Sequence, residues 1–141
     1  MNVVVDTNVF VSSFFGGLPR RIVELWGRGL VTLCVSREII DEYTAVLVRL
    51  GLTEGKDLAE LLELFARGKH SLFIGKTPTV KIVKSDPSDD KFIECAVALK
   101  AICVITGDKA LLNVGNYAGI EILTPRDFLG RHFPDAVEKS L

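Results

Sequence analysis

Asp6 closes the apolar run Val3-Val4-Val5, and Asp108 follows Val104-Ile105-Thr106-Gly107. Glu42 and Asp90 fall within predicted helix starts. Like charges held within a few ångströms raise each other's pKa, so carboxylates gathered from distant parts of a chain imply a compensating cation. Hard oxygen ligands supplied by Asp and Glu suit Mg²⁺ or Mn²⁺, the ions that activate water and steady phosphate oxygens in nucleases and phosphatases. The chemistry expected is metal-assisted hydrolysis of a phosphate ester, provided the fold brings these acids to one place.

The elements that must do this are legible from periodicity. Residues 2–6 form a continuous β-branched strand signal, and Val31 to Val35 and Ala101 to Ile105 repeat it. Gly119 to Leu123 reads as a final strand, and of the stretches Leu72 to Ile74 and Val80 to Val83 at least the second is expected to be extended. Helices are predicted from Arg20 to about Arg28 and from the Ser36 cap onward, with Ile39, Ile40, Tyr43, Val46, Leu47 and Leu50 as an apolar stripe. Another is predicted over about Glu54 to Arg67, whose stripe of Leu58, Leu61, Leu62 and Phe65 suits either the core or a second subunit. Ser88 or Asp89 caps the helix containing Asp90, Phe92, Ile93, Ala96, Val97 and Leu99, and Thr124-Pro125 opens a terminal one.

Strands alternating with helices predict an α/β fold with a parallel sheet covered on both faces. Right-handed crossovers then carry the carboxyl ends of the strands to one rim, where Asp6 and Asp108 stand. Helix phase favours Asp90 over its neighbour, since Ile93 and Val97 lie three and seven residues on, and assigns Asp89 to capping. Glu94, one turn further, either joins the site or is a solvated helix position.

Residues 1–141 are expected to form one domain with a proper core, given 48% hydrophobic and 25% charged residues. No stretch reads as a membrane span or signal peptide, and a cytoplasmic location is expected. Cys34, Cys95 and Cys103 lack any Cys-x-x-Cys pairing and sit among apolar neighbours, so they read as reduced core residues rather than zinc ligands. A net charge of −1 gives no general attraction for nucleic acid. A polyanion must therefore meet a local patch, and the stretch from Leu64 to Ser85, devoid of Asp and Glu, supplies Lys69, Lys76, Lys81 and Lys84 as candidate RNA-binding residues.

With these residues in order, the chain resembles the PIN domain family, the nuclease fold of VapC-like toxins. Asp6-Thr7-Asn8, Ser36 through Glu42, Asp89-Asp90-x-x-Ile93 and Thr106-Gly107-Asp108 resemble the family's successive acidic motifs. The resemblance implies a three-layer α/β/α sandwich with a parallel sheet of about five strands, cleavage of single-stranded RNA, and Mg²⁺ or Mn²⁺ as cofactor. It further implies that Asp6, Glu42, Asp90 and Asp108 are the catalytic, metal-binding acids, with Asn8 and Thr106 supporting them by hydrogen bonds. A cognate antitoxin and a homodimer are implied as partners. The alternative expectation is a catalytically weak PIN-fold interaction subunit that binds a partner protein or RNA. A phosphatase of the Asp-x-Asp-x-Thr kind is disfavoured because Asn8 stands at the second Asp.

Overall fold

A computed structural model describes residues 1–52, 59, 63 and 67–138. The expected Leu58–Phe65 stripe lies outside the described residues.

The chain runs through β1 (Asn2–Val5), α1 (Thr7–Ser12), α2 (Gly17–Gly27), β2 (Thr32–Ser36), α3 (Arg37–Arg49), β3 (Ser71–Ile74), α4 (Asp90–Leu99), β4 (Cys103–Ile105), α5 (Lys109–Leu112), β5 (Asn116–Tyr117), β6 (Ile120–Leu123), α6 (Pro125–His132) and α7 (Pro134–Glu138). Short 3₁₀ turns at Ser13–Phe15 and Pro87–Asp89 precede α2 and α4. The sheet has six strands in the order β3-β2-β1-β4-β6-β5. Five of them are parallel, and β5 is a two-residue antiparallel edge paired with β6. The crossovers β1→β2 and β2→β3 step one way along the sheet, while β3→β4 and β4→β6 step the other way. Right-handed connection therefore puts their helices on opposite faces, and the result is a three-layer α/β/α sandwich.

The centre is β1 beside β4, with Val3, Val4 and Val5 opposite Cys103, Val104 and Ile105. All six are at most 2% exposed, as strands covered on both faces must be, and burying each valine side chain is worth about 1.5–3 kcal/mol. Burial also pushes the thiols of Cys34 to about 11 and of Cys95 and Cys103 to about 12, so all three are protonated core residues. Ser36 accepts from Ile39 N at 3.2 Å and starts α3 where the sequence predicts it. α2 begins three residues ahead of the expected Arg20, with Pro19 in its first turn, where no backbone partner is forfeited.

Of the two short apolar stretches, the first is the one that joins the sheet. Ser71–Ile74 pairs with β2, while Val80–Val83 joins no strand. Carboxylates rather than a neighbouring strand take up its backbone donors. Val80 N donates to Glu94 Oε2 at 2.8 Å, and Ile82 N and Val83 N donate to Asp90 Oδ1 at 3.1 and 2.8 Å.

Candidate active site

The direction of the crossovers reverses between β1 and β4, so a crevice opens beyond their carboxyl ends. Asp6 is the first residue past β1, and its N–H still bonds Ile105 O at 3.0 Å. Its side chain caps α1, with Oδ1 accepting from Val9 N at 2.8 Å. The other oxygen, Oδ2, accepts from the Thr106 hydroxyl just beyond β4. Thr106 Oγ1 in turn accepts from Asp108 N at 2.9 Å. One fully buried hydroxyl thus ties the Asp6 carboxylate to the main chain at Asp108. Asp108 stands where a cap for α5 belongs but makes no capping bond, which leaves its carboxylate to the crevice.

Facing Asp108 is Asp89. Oxygens of Asp86, Asp89 and Asp108 all lie within 4.8 Å of one another. Burial, followed by the hydrogen bond to Asp108 and the charges of Asp108, Asp86 and Asp6, pushes the Asp89 carboxyl up to about 8. Two carboxylates offer only acceptors to each other, so one proton between them is the favoured state in the absence of a cation. Among the described residues Asp89 Oδ2 is the one buried side-chain oxygen or nitrogen without a hydrogen-bond partner. Asp6 is also raised, first by burial and then by the charges of Asp108 and Glu42, against the lowering effect of its bonds to Thr106 and Val9.

An orphaned buried oxygen among crowded carboxylates is what a hard divalent cation would satisfy. Ligands about 2.1 Å from Mg²⁺ lie roughly 3–4.2 Å apart in an octahedron, so atoms already this close need little rearrangement. The donor set is all oxygen, which suits Mg²⁺ or Mn²⁺ and offers nothing to zinc's preference for sulfur and nitrogen.

Glu42 enters from the second turn of α3. Thr7 Oγ1 donates to its Oε1 at 2.6 Å, and Lys91 Nζ pairs with its Oε2. Its charge reaches Asp6 without joining the three-acid group.

Asp90 differs from the expectation. Only 8% exposed, it is on the buried flank as its helix phase requires, but at the start of α4 this flank faces the 80–83 loop. Both of its recorded bonds go to that loop's backbone, and Glu94 does the same one turn later. Asp89 takes the place in the crevice and makes no side-chain capping bond. The reason is the 3₁₀ turn at Pro87–Asp89. With three residues per turn, side chains three apart eclipse, so Asp86 and Asp89 share a side. An Asp-Pro-x-Asp sequence carries this signal, because proline opens the tight turn and Asp86 Oδ1 closes it by accepting from Ser88 N at 3.2 Å.

Asn8 is exposed and makes no hydrogen bond to the crevice acids, and Thr7 beside it does that work instead. Asn8 lines a cavity of about 470 Å³ with Ser12, Pro19, Gly107, Asp108 and Lys109. A second cavity of about 490 Å³, bordered by Ser88 and Lys91, includes Lys81 and Lys84. Lys76 is exposed after β3, at the same rim. Lys69 precedes β3 and so sits at the opposite rim, roughly 15 Å away at about 3.3 Å per strand residue. The four lysines therefore do not form one patch.

The arrangement has a family. The chain belongs to the PIN domain family, whose model matches residues 2–110. PIN domains are in general nucleases that use divalent metals, and the matched span contains every acid of the crevice. A comparison with curated proteins found no match to this chain. No described helix is long and apolar enough to cross a membrane.

Proposed function

We propose that this chain is an endoribonuclease that hydrolyses phosphodiester bonds of single-stranded RNA with Mg²⁺ or Mn²⁺, and that it serves as the toxin of a toxin–antitoxin pair in the cytoplasm. Asp6, Asp89 and Asp108 hold the metal in this reading, with Asp86 beside them and Glu42 on the flank. Asp90 acts as a brace for the 80–83 loop. The observation that carries the proposal is the unpartnered, buried Asp89 oxygen set against Asp108 at the β1/β4 crevice.

A bound divalent ion would lower the pKa of a water toward neutrality and offset charge growing on the phosphate oxygens. The chain's own groups set up the rest. Thr106 locks Asp6 and Asp108 at a set spacing, so the site needs little reorganisation when a substrate arrives. Glu42 is held in place by hydrogen bonds on both oxygens. The Asp89 carboxyl, pushed up to about 8 by burial and by its acidic neighbours while no cation is bound, would give up its proton as a divalent ion enters. Lys109 beside Asp108 in one cavity, and Lys81 and Lys84 in the other, would give a single strand cationic footing, although Glu38, Asp90 and Glu94 line that second cavity as well.

Leu72 and Phe73, 40% and 59% exposed on the edge strand β3, support a protein neighbour, which we assign to a second copy in a homodimer. The acidic crevice suits a Lys or Arg of an antitoxin. The test of the activity is a labelled single-stranded RNA incubated with the full chain. Cleavage is expected with Mg²⁺ or Mn²⁺, is abolished by Asp108→Asn, and is absent in EDTA. Full cleavage in EDTA would defeat the proposal.

A further inference from the structure

Glu42 is held from two sides. Thr7 donates to Oε1 at 2.6 Å, while Lys91 pairs with Oε2 and also donates to the Ser88 carbonyl. Among the described residues this is the one ion pair that involves an acid of the crevice. It also differs in kind from the rest. The Lys91 side chain is 14% exposed, whereas both partners of the other three pairs are at least 34% exposed. Glu42 is itself 34% exposed, so the shielding is at the Lys91 end, where solvent and salt screen the charge less than on a surface lysine.

Lys91 lies in the first turn of α4, two residues beyond Asp89, so its position is set by the same turn that places Asp86 and Asp89. Its charge is also felt at Asp86, whose carboxyl is held below the usual range first by hydrogen bonding to Ser88 and further by Lys91. An ammonium has three donors and no acceptor, and so acts as a compact point charge. The acids that approach within 4.8 Å of one another are Asp86, Asp89 and Asp108, and Glu42 is outside that group. A second divalent ion at Glu42 would have to take Oε2 from Lys91 and remain beside its positive charge.

Building on the metal-dependent reading above, we infer that Lys91 stands in for a second cation, so that the crevice takes one divalent ion beside Asp89 and Asp108. The Glu42–Lys91 pair forms a neutralised flank. Lys91 is thus a positioning residue: it fixes Glu42 and sets the ion count of the site.

The test is calorimetric titration of the full chain with Mn²⁺ alone. The wild type is expected to bind one ion per chain. Lys91→Met, which keeps the side chain's length without its charge, is expected to bind two ions per chain, because the positive charge that neutralises Glu42 has left the crevice. Lys91→Gln serves the same purpose if Lys91→Met does not fold by circular dichroism. Two ions in the wild type would overturn the inference and leave the nuclease reading standing. A single ion in the variant, whether held more tightly or less, would overturn it too, since a lysine that merely props up a ligand or repels the ion would give that result. No ion at all in the wild type would defeat both readings.

Discussion

Removing the Thr106 hydroxyl tests the heart of the site with the smallest change of shape. Thr106→Val replaces Oγ1 by a methyl group in a position that is 0% exposed, so nothing but the hydrogen bonds is lost. Those bonds run to Asp6 Oδ2, itself on a residue only 3% exposed, and from Asp108 N at 2.9 Å. A bond to a charged group contributes about 1.5–3 kcal/mol, and a buried acceptor left bare adds a further penalty, so a loss of about 2–4 kcal/mol is expected. For a chain of this size that is a fall in melting temperature on the order of 10 °C. The loss has a pH signature. Asp6 is raised by burial and held back by its bond to Thr106, so without that bond its carboxyl climbs further. Protonation then relieves the unpaired charge, and the deficit should shrink in acid and widen in alkali. Circular dichroism melts of wild type and variant at two pH values provide the measurement. A variant within about 0.5 kcal/mol of wild type at both would refute the claim that this hydroxyl holds the two acids together.

Further expectations concern the acids and the fold. The Asp89 carboxyl is raised from 3.8 to about 8, so the folded chain keeps a proton that the unfolded chain has lost, and metal-free stability should fall as pH rises across that window. Wild-type melts compared with Asp89→Asn isolate this slope, and saturating Mn²⁺ should flatten it by displacing the proton; a metal-free difference that stays level sinks the proton-sharing picture. Asp90→Asn should reduce stability by about 1–3 kcal/mol in urea titrations through its weakened hold on Ile82 N and Val83 N, with Mn²⁺ affinity unchanged. A large loss of affinity there would restore Asp90 to the metal. At Gly29, φ is +77° and an added Cβ would come 2.7 Å from His70 Cε1, so Gly29→Ala should destabilise by at least about 1–2 kcal/mol with RNA cleavage retained. An unchanged urea midpoint would show that the His70 contact yields freely.

Much of the frame was readable because burial and strand period leave little freedom. Val3-Val4-Val5 followed by Asp6, and Val104-Ile105 followed by Thr106-Gly107-Asp108, mark two central strands and the rim beyond them. Ser36 announces α3, and Glu42 follows from it. Helix phase alone puts Asp90 on the buried flank of α4, but a 3₁₀ turn precedes that helix and brings Asp89 close to Asp86 and Asp108. In that tighter turn Asp89 looks into the crevice and Asp90 looks at the loop. The same loop misled the strand assignment at Val80–Val83: its β-branched composition suits a strand, but Asp90 and Glu94 supply its acceptors. Thr7 and Asn8 are adjacent polar residues, and only the α1 geometry tells which one turns to Glu42. Lysines such as Lys69 and Lys76 look contiguous in sequence, yet β3 carries them to opposite rims.

Diffraction from crystals of the full chain soaked in Mn²⁺, with anomalous scattering used to locate the ion, tests the central claim most directly. The expected result is a manganese peak in the crevice beyond β1 and β4, in contact with carboxylate oxygens of Asp89 and Asp108. Saturated crystals with no peak there, or with the ion on Asp90 and the 80–83 loop instead, would contradict it.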